Sequence, residues 1–545
     1  MSIHEAVVRL LELAFTEQWQ VWVRVVRAVK KIRPSMVSED TAERRQRLID
    51  VEDERAKGEY GVESTRWYIL AVFSMFSFLQ CLIWFTFSSV HDTKVIAYYN
   101  NSAALLAADD DDQLNTLPNG PLDKVGLALL LNWGPIIGVA MFPFQAWLLT
   151  RKGGFQRATQ LGSALVFGGA LLRYLPGTFV SRDAVWLLHL GQVLNAAAGP
   201  LCMGTESRLS NLWFAENERA TATAIAVTSN GVGSTVGFLL GPALVQKAED
   251  FPHLLLVTLG LATIPFACSL VYYPRRPRRF PSPAAAALAD DMGLGGGDGG
   301  TGGDDGYAAV GSDEGGGGGS NPLVLPGAGG AQMGFLDGLK ETMRNRHYVV
   351  LVLAAGILAG VFAGWQSLFQ DILGPLGYSD TQVGWIGFTS GLCGNLASVA
   401  VGFSSDKFFQ RKFKRSILQL LGMLFVAVLW FTLSMPAFGS NGGLLPNSLA
   451  TIGISASLAG MSQTGITPLM YELCAELTFP VSEGTSAGFL ALIWNAASFV
   501  MIYLSPIISS GSINVITLLT VAVIFGMVTS VKEEYKRPTT ANKGN

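Results

Sequence analysis

The sequence predicts an all-α membrane protein in which twelve spanning helices form two six-helix bundles. Half of its 545 residues are hydrophobic and only 14% are charged, and its mean hydropathy is +0.37. About a dozen apolar stretches each approach the roughly 20 residues that cross a bilayer. They fall into two groups of six on either side of a glycine- and acid-rich segment. A soluble protein has no interior large enough to bury so much apolar helix.

The predicted spans divide the chain into five parts. The first six spans lie near residues 66–90, 124–149, 157–175, 185–205, 219–245 and 253–273. The second six lie near 348–372, 381–404, 415–436, 445–474, 484–507 and 511–531. We therefore expect an N-terminal arm over 1–65, an N-terminal bundle over 66–275, a linker over 276–340, a C-terminal bundle over 341–531 and a tail over 532–545.

The basic residues predict the orientation of the chain. The net charge of −3 argues against nucleic acid as a partner. Arginine and lysine crowd the loops on one side of the spans, where the members include Arg151, Arg157, Arg275, Arg276, Arg344, Lys414 and Lys532. By the positive-inside rule, both termini and the linker lie in the cytosol. The host membrane stays open between the plasma membrane and a lysosomal or vacuolar membrane.

Asn100 begins an Asn-Asn-Ser triplet in the loop after the first span, on the side opposite the basic loops. It is therefore a candidate for N-glycosylation. Because such triplets often arise by chance, an unmodified asparagine is the alternative. The five cysteines lie in separate apolar stretches, and no Cys/His group has the spacing of metal ligands. We expect no metal site and no cofactor.

Two segments outside the spans have distinct compositions. Residues 7–31 place tryptophans on one helical stripe and arginines opposite, a pattern of helices that bind the surface of an anionic membrane. The alternative is a helix that docks on the protein's own cytosolic face. Residues 281–334 are rich in glycine and aspartate, so they cannot bury enough apolar surface to fold and should be disordered.

Several loops and helices resemble those of known transporters. Gly233, Gly237 and Gly241 recur every four residues before Pro242, which allows close helix packing and resembles the fifth-helix signature of major facilitator transporters. The loop Gly402-Phe403-Ser404-Ser405-Asp406-Lys407 resembles their gating loop. The segments Arg208-Leu209-Ser210-Asn211-Leu212-Trp213-Phe214 and Tyr471-Glu472-Leu473-Cys474-Ala475-Glu476 resemble the family of the feline leukaemia virus subgroup C receptor. Gly384-Trp385-Ile386-Gly387-Phe388 looks like its branch called disrupted in renal carcinoma 2.

The resemblance implies a major facilitator fold and transport of a small organic solute by alternating access, secondary-active or facilitative. Haem, choline-like amines and vitamin B6 are associated with members of this family. The chain is not expected to be an enzyme, since no nucleophile–base set or phosphate-binding loop lies in the spans. The solute and membrane lipids are the expected partners, with protons as a further candidate and a monomer as the expected state. A receptor or solute sensor that does not transport is the rival function.

The resemblance also implies where the solute binds. Trp84 occupies the place of the family's aromatic residue in span one, Asn495 the place of a glutamine in span eleven, and Gln192 or Asn195 substitutes for a polar position that falls at Gly199. Read from the residues alone, aromatic walls and a few amides suit an organic solute. The candidate walls are Trp84, Trp365 and Phe369, and the candidate amides are Gln80, Gln192, Asn195, Gln366, Gln463 and Asn495. Plain packing and interhelical hydrogen bonds are the alternatives.

Ionisable residues in the spans suggest coupling and gating. His189, Glu206 and Asp371 are candidates to carry a coupling proton, with facilitated diffusion as the alternative. Glu472 and Glu476 share one helical face and repel unless paired. We expect them to join the two halves at the cytosolic side, in a network with Arg208, Arg219 and Glu483, braced by Asp406 and Arg411. The alternative is that each pair stays within its own half.

Overall fold

The structure is a computed structural model that describes residues 61–100, 120–149, 151, 153–203, 205–282, 285, 286, 289, 343–408, 413–435, 444–478 and 483–532. Most of the N-terminal arm, most of the linker, the end of the tail and Arg411 lie outside the described residues. For Asp406 and Glu483 only the backbone is described.

Within the described residues the chain forms twelve long helices, which we number in chain order. The first six are α1 (Thr65–Trp84), α2 (Lys124–Leu149), α3 (Gly154–Tyr174), α4 (Val185–Cys202), α5 (Glu216–Leu244) and α6 (Phe251–Val271). The second six are α7 (Arg346–Ser367), α8 (Asp380–Phe408), α9 (Phe413–Leu433), α10 (Leu449–Thr478), α11 (Glu483–Leu504) and α12 (Ser510–Ser530). Each predicted span coincides with one of these helices, and eight of them are long and apolar enough by length and composition to cross a membrane.

The two sets of six helices pack as two related bundles. In the first, α1 contacts α4, α5 and α6, α2 contacts α4, and α3 contacts α4 and α6. The second bundle repeats each of these contacts with every helix number raised by six. The halves meet through α5 with α8 and through α2 with α11, which are themselves equivalent under the same shift. The sequence thus produces a pseudo-twofold arrangement with one seam between the halves.

We call the end of the molecule where α6 ends and α7 begins the linker end, and the opposite end the distal end. Toward the distal end, α1 and α7 stop earlier than their apolar runs. After Trp84 the chain makes a 3-10 turn, Phe85–Phe87, and after Ser367 it forms the short helix Phe369–Leu373. The predicted spans ran to residues 90 and 372 because residues such as Phe87 and Phe369 are buried. Hydropathy indicates which residues are buried, but it does not show where α1 and α7 end.

The beginning of the linker packs on the N-terminal half, beyond the boundary predicted at residue 275. Phe280 lies against the core of this half, Ala289 is fully buried in it, and the Phe280 carbonyl accepts a hydrogen bond of 3.0 Å from the Gly61 amide. Disorder was expected from residue 281 because the composition becomes small and polar there. In the structure Ala285 and Ala289 are buried, and most of the segment predicted to be disordered lies outside the described residues.

The three glycines of α5 lie against α1 and the residues that follow it. A Cβ at Gly233 would stand 2.1 Å from the carbonyl oxygen of Phe78, and one at Gly241 would stand 2.2 Å from Oγ of Ser89. A Cβ at Gly237 would lie 3.2 Å from Cβ of Phe85. In a membrane, helices associate through such close packing, because lipid tails are as apolar as the helix surface.

We predict that Gly233→Ala destabilises the protein by about 1–3 kcal/mol, because the new methyl group meets backbone that cannot move aside. The matched control is Gly260→Ala on α6, where no atom lies within 4 Å of the added Cβ. This control should be neutral or stabilising by up to about 1 kcal/mol, since alanine favours helix. Thermal unfolding of the purified variants measures both, and equal melting temperatures would contradict the predicted contact.

Candidate functional site

The seam between the halves is lined by glycines on its α5–α8 side. A Cβ at Gly384 would lie 2.5 Å from the carbonyl oxygen of Phe238, and one at Gly387 would lie 2.4 Å from the ring of the same residue. A Cβ at Gly391 would lie 2.4 Å from Oγ1 of Thr235. Helix α5 therefore has glycine at both of its close contacts, on its own surface toward α1 and on the surface of α8.

Two asparagines of the C-terminal half reach across the seam near mid-depth. Asn395 on α8 donates a hydrogen bond of 3.1 Å to Oγ1 of Thr235, and its Oδ1 lies over Gly231. Asn495 on α11 places its Oδ1 over Gly138 of α2, 3.1 Å from the position of an added Cβ. Asn495 was predicted from the sequence and Asn395 was not, although an amide within an apolar span is the signal in both cases.

An aromatic cluster lies where the seam meets the end of α1. We call Cys81, Trp84, Phe85, Phe238 and Phe388 the seam cluster. Trp84 is half-buried, and its ring contacts that of Phe85 edge-on at 4.9 Å between centroids. Its indole N–H donates to the Leu131 carbonyl at 3.0 Å. Because this donor is engaged, Trp84 offers its ring face and not its N–H to a ligand.

The predicted amides of the N-terminal half bond to other helices. Asn195 donates to the Gln80 carbonyl at 3.1 Å, and Gln80 donates back to the Asn195 carbonyl at 3.3 Å. Gln192 accepts from Nη1 of Arg173 at 3.1 Å. Gln192, Asn195 and Arg173 are fully buried. In this conformation the three amides hold α1, α3 and α4 together, which agrees with the alternative of interhelical hydrogen bonds.

The predicted residues on α7 and α10 lie inside the C-terminal half. Trp365 is fully buried and donates to Oδ1 of Asn514 at 2.8 Å, and Phe369 stacks on Phe431 at 5.9 Å. Gln366 donates to Oγ of Ser390 at 2.9 Å. Gln463 borders a small cavity that α7, α10 and α11 enclose. Phe369 also approaches Phe238, with 6.4 Å between ring centroids, so it backs the seam cluster from the C-terminal side.

The three candidate proton carriers occupy different places. Nδ1 of His189 accepts from the Trp133 indole at 3.1 Å, so the neutral ring carries its proton on Nε2. Glu206 begins the short helix Glu206–Trp213 at the linker end and is half-buried. Asp371 lies beyond the end of α7 on the short helix Phe369–Leu373. Burial raises the pKa of Asp371 to about 6, against the opposing effects of Lys124 and a hydrogen bond with Asp92.

An ion pair joins the two halves at the distal end. Nζ of Lys94 lies 2.6 Å from Oδ2 of Asp380, and the two side chains are only 27% and 15% exposed. Gln370 donates to the other carboxylate oxygen of Asp380 at 2.8 Å. We call Lys94, Gln370 and Asp380 the distal latch. The latch was not predicted from the sequence, because its charged partners are 286 positions apart and no local pattern links them.

At the linker end, both arginines predicted to gate donate hydrogen bonds to residues of the N-terminal half or of the linker. Arg208 donates to the Leu149 carbonyl at 2.6 Å, and Arg219 donates to the Phe214 carbonyl and to Oγ of Ser282. Glu472 is exposed and Glu476 half-buried on α10. A gate between these residues stays a prediction.

The predicted glycosylation site lies at the distal end. The side chain of Asn100 exchanges two hydrogen bonds with the backbone of Leu122, at 2.9 and 3.1 Å. The remainder of its triplet lies outside the described residues. Over the described part of the chain, no group of three His, Cys, Asp or Glu side chains could hold a metal ion.

Comparisons with known proteins identify the family. The profile of the Major Facilitator Superfamily matches residues 77–500. The chain therefore belongs to the major facilitator superfamily, a family of transporters and not of enzymes, and it has the fold that the sequence predicted. The crystal structure of the E. coli fucose:proton symporter aligns with 86% of this chain and 100% of its own, at 14% identity and a TM-score of 0.48.

Several individual proteins are similar in sequence to this chain. It is 29% identical to solute carrier family 49 member 4 homolog of Xenopus laevis, over 79% of this chain and 82% of that protein. It is 25% identical to choline/ethanolamine transporter FLVCR2 of Homo sapiens, over 79% and 69%. Choline/ethanolamine transporter flvcr2a of Danio rerio matches at 25%, over 81% of each chain. The predicted resemblance to the feline leukaemia virus receptor family is confirmed.

We predict that Lys94→Met opens the distal end. A partly exposed ion pair contributes about 1 kcal/mol, so the rate at which a polar thiol reagent labels Cys81 in the seam cluster should rise roughly fivefold. The measurement uses a chain whose other four cysteines are replaced. Lys247→Met, an exposed lysine at the same end, is the matched control and should leave the rate unchanged. Exchanging the charges in Lys94→Asp with Asp380→Lys should restore slow labelling. Equal effects of both lysine variants would contradict the latch.

We predict that Asp371 makes stability depend on pH. Its pKa in the folded protein is raised from 3.8 to about 6, so its favourable contribution is present below pH 4 and is lost as pH rises through about 6. Asn cannot ionise, so Asp371→Asn should melt at a higher temperature than the parent at pH 7.5 and lose that advantage at pH 4. The exposed Asp183→Asn serves as control. Parallel melting curves for parent and Asp371→Asn across this range would refute the assignment.

Proposed function

We propose that this protein carries a small organic amine of the choline or ethanolamine kind across a membrane, by alternating access around the seam. The observation that carries the proposal is the seam cluster, in which Trp84, Phe238 and Phe388 from both halves meet. The two seam asparagines, Asn395 and Asn495, supply polar groups to the same seam. Two of the similar proteins are choline/ethanolamine transporters, which supports the same solute class.

Ring faces suit a cationic amine. A quaternary or primary ammonium group is attracted to the negative face of an aromatic ring, most strongly to tryptophan. Trp84 is half-buried with its N–H engaged, so its ring is the part left for a solute. A vitamin B6-like solute is the second candidate, because a tryptophan ring can also stack on a pyridine ring. Haem, the third solute class suggested by the family, requires a wider opening of the seam.

The closed distal end supports alternating access. In this conformation the distal latch and the α5–α8 glycine contacts hold the halves together on that side. Access from the distal side requires these contacts to separate, while contacts at the linker end form in their place. Glu472, Glu476 and Arg219 are the candidates for that second set. Asp371, on the short helix next to Gln370 of the latch, is the candidate for linking protons to the opening.

The distribution of basic residues supports an orientation with the linker end in the cytosol, as the positive-inside rule predicts. The plasma membrane and a lysosomal or vacuolar membrane are both compatible with it, and the carrier is proposed to act as a monomer. A sensor on the same scaffold is the rival function. Counterflow of labelled choline into proteoliposomes loaded with unlabelled choline distinguishes them, because a sensor produces no counterflow.

We predict that Trp84→Ala raises the Kd for choline roughly three- to thirtyfold, as expected for the loss of one cation–π contact. Binding to the purified protein and counterflow both measure it, with ethanolamine, pyridoxine and haem tested in parallel. Trp186→Ala is the matched control, because this tryptophan on α4 is 64% exposed. If pyridoxine or haem binds and choline does not, the amine proposal is wrong. If Trp84→Ala binds every solute normally, the site is wrong.

A further inference from the structure

The first residues of the linker form a strap over the linker end of the N-terminal half. We use the name linker strap for the described residues 275–282, 285, 286 and 289. Its backbone is held by the Gly61 amide, which donates to the Phe280 carbonyl at 3.0 Å, and by the carboxylate of Glu63, which accepts from the Arg279 amide at 2.9 Å. Ser282 is 7% exposed, and Ala285 and Ala289 are buried. A few hydrogen bonds and the buried side chains of two alanines therefore hold the strap on the bundle.

Ser282 is the residue that ties the strap to α5. Its Oγ accepts a hydrogen bond of 2.8 Å from Nη2 of Arg219 and another of 3.2 Å from the Ala285 amide. Arg219 also donates to the Phe214 carbonyl at 3.2 Å. The Ser282 hydroxyl thus binds Arg219, which the sequence predicts to take part in the gate between the halves.

The sequence around Ser282 has the composition of a phosphorylation site. It reads Pro281-Ser282-Pro283, and Arg275, Arg276, Arg278 and Arg279 precede it. Three serine or threonine residues of the chain are followed by proline: Ser282, Thr467 and Ser505. Thr467 lies within α10, and Ser505 follows α11 at the distal end. Ser282 is thus the member of this set that lies on the linker strap.

We propose that Ser282 is a modification site for a proline-directed serine/threonine protein kinase, and that its phosphorylation releases the linker strap from Arg219. This proposal shares one assumption with the proposed function, namely that the linker end faces the cytosol, where a kinase finds ATP. In the reaction, Oγ of Ser282 forms a bond to the γ-phosphorus of ATP while the bond from that phosphorus to the bridging oxygen breaks. ADP leaves, and the hydroxyl proton passes to the kinase.

The charge of the product determines the outcome. A phosphoserine carries nearly two negative charges at neutral pH. The docked site is almost closed to solvent and offers Ser282 one cationic partner, Arg219, among the described contacts. Burying a charge that its surroundings do not neutralise costs more than a charge-assisted hydrogen bond returns. The phosphorylated strap therefore stays undocked, and Arg219 loses the hydroxyl that restrained it. The modification thereby changes the contacts of a residue proposed to gate.

The strap must leave its site before a kinase can bind it, and this requirement makes the proposal testable without transport. The full-length protein in nanodiscs of neutral lipid is incubated with a proline-directed kinase and Mg-ATP. Peptide mass spectrometry locates the phosphate, and hydrogen exchange reports docking of residues 275–289. We expect phosphate on Ser282, faster exchange over the strap afterwards, and loss of this modification in Ser282→Ala.

Arg219→Gln separates this mechanism from incidental phosphorylation. Without the arginine hydrogen bond the strap is released more often, so the initial rate of phosphorylation should rise roughly three- to tenfold. Arg157→Gln, an exposed arginine on α3, is the matched control and should keep the parent rate. No phosphate on Ser282, unchanged exchange after phosphorylation, or equal rates for the two arginine variants would each overturn the proposal. A failure of choline transport affects none of these readouts.

Discussion

The structure depends on the close approach of α5 to its two neighbours. Gly233 lets the backbone of α1 come within contact distance on one side, and Gly241 does the same for Ser89 beyond the end of α1. Gly384 and Gly387 of α8 let the other half approach on the opposite side. Helices in a membrane gain little from hydrophobic burial against each other, so packing of this kind provides much of the force that holds them. One helix therefore connects the interior of its own bundle to the seam.

This constraint positions the candidate site. Phe238 lies on α5 between Gly233 and Gly241. It packs against Phe85 of the 3-10 turn after α1, with 5.3 Å between ring centroids, and faces Gly387 of α8. Trp84 stands at the last residue of α1, where the helix gives way to a 3-10 turn. An interrupted helix beside a seam is a common setting for solute sites in transporters of this kind. Movement of α8 against α5 would change the surroundings of the aromatic rings directly.

Much of the fold could be predicted from the sequence, because length and hydropathy determine which segments can span a bilayer. The direction of individual side chains could not. Trp84 and Trp365 lie near the ends of equivalent helices, yet one contacts the seam and the other bonds to Asn514 inside its bundle. A helix that is apolar on all sides carries no periodic signal that distinguishes these directions. The roles of the Gln80 and Asn195 amides could not be predicted for the same reason, since a polar atom in a span serves packing and binding equally well.

Contacts between residues far apart in the chain also could not be predicted from the sequence. Lys94 and Asp380 belong to different halves, and Arg219 meets Ser282 in a stretch whose composition predicted disorder. Only the folded arrangement brings such groups together.

The central claim is that the two halves separate at the distal end, where the distal latch and the α5–α8 glycine contacts hold them together in this conformation. Its most direct test is a spin-label distance between Phe179→Cys and Ile507→Cys, two exposed positions in distal loops of opposite halves, in a chain whose native cysteines are replaced. Pulsed electron resonance in nanodiscs, with and without choline, should reveal a short distance and a second, longer one whose proportions change with the solute. A single distance that choline leaves unaltered would contradict alternating access about this seam.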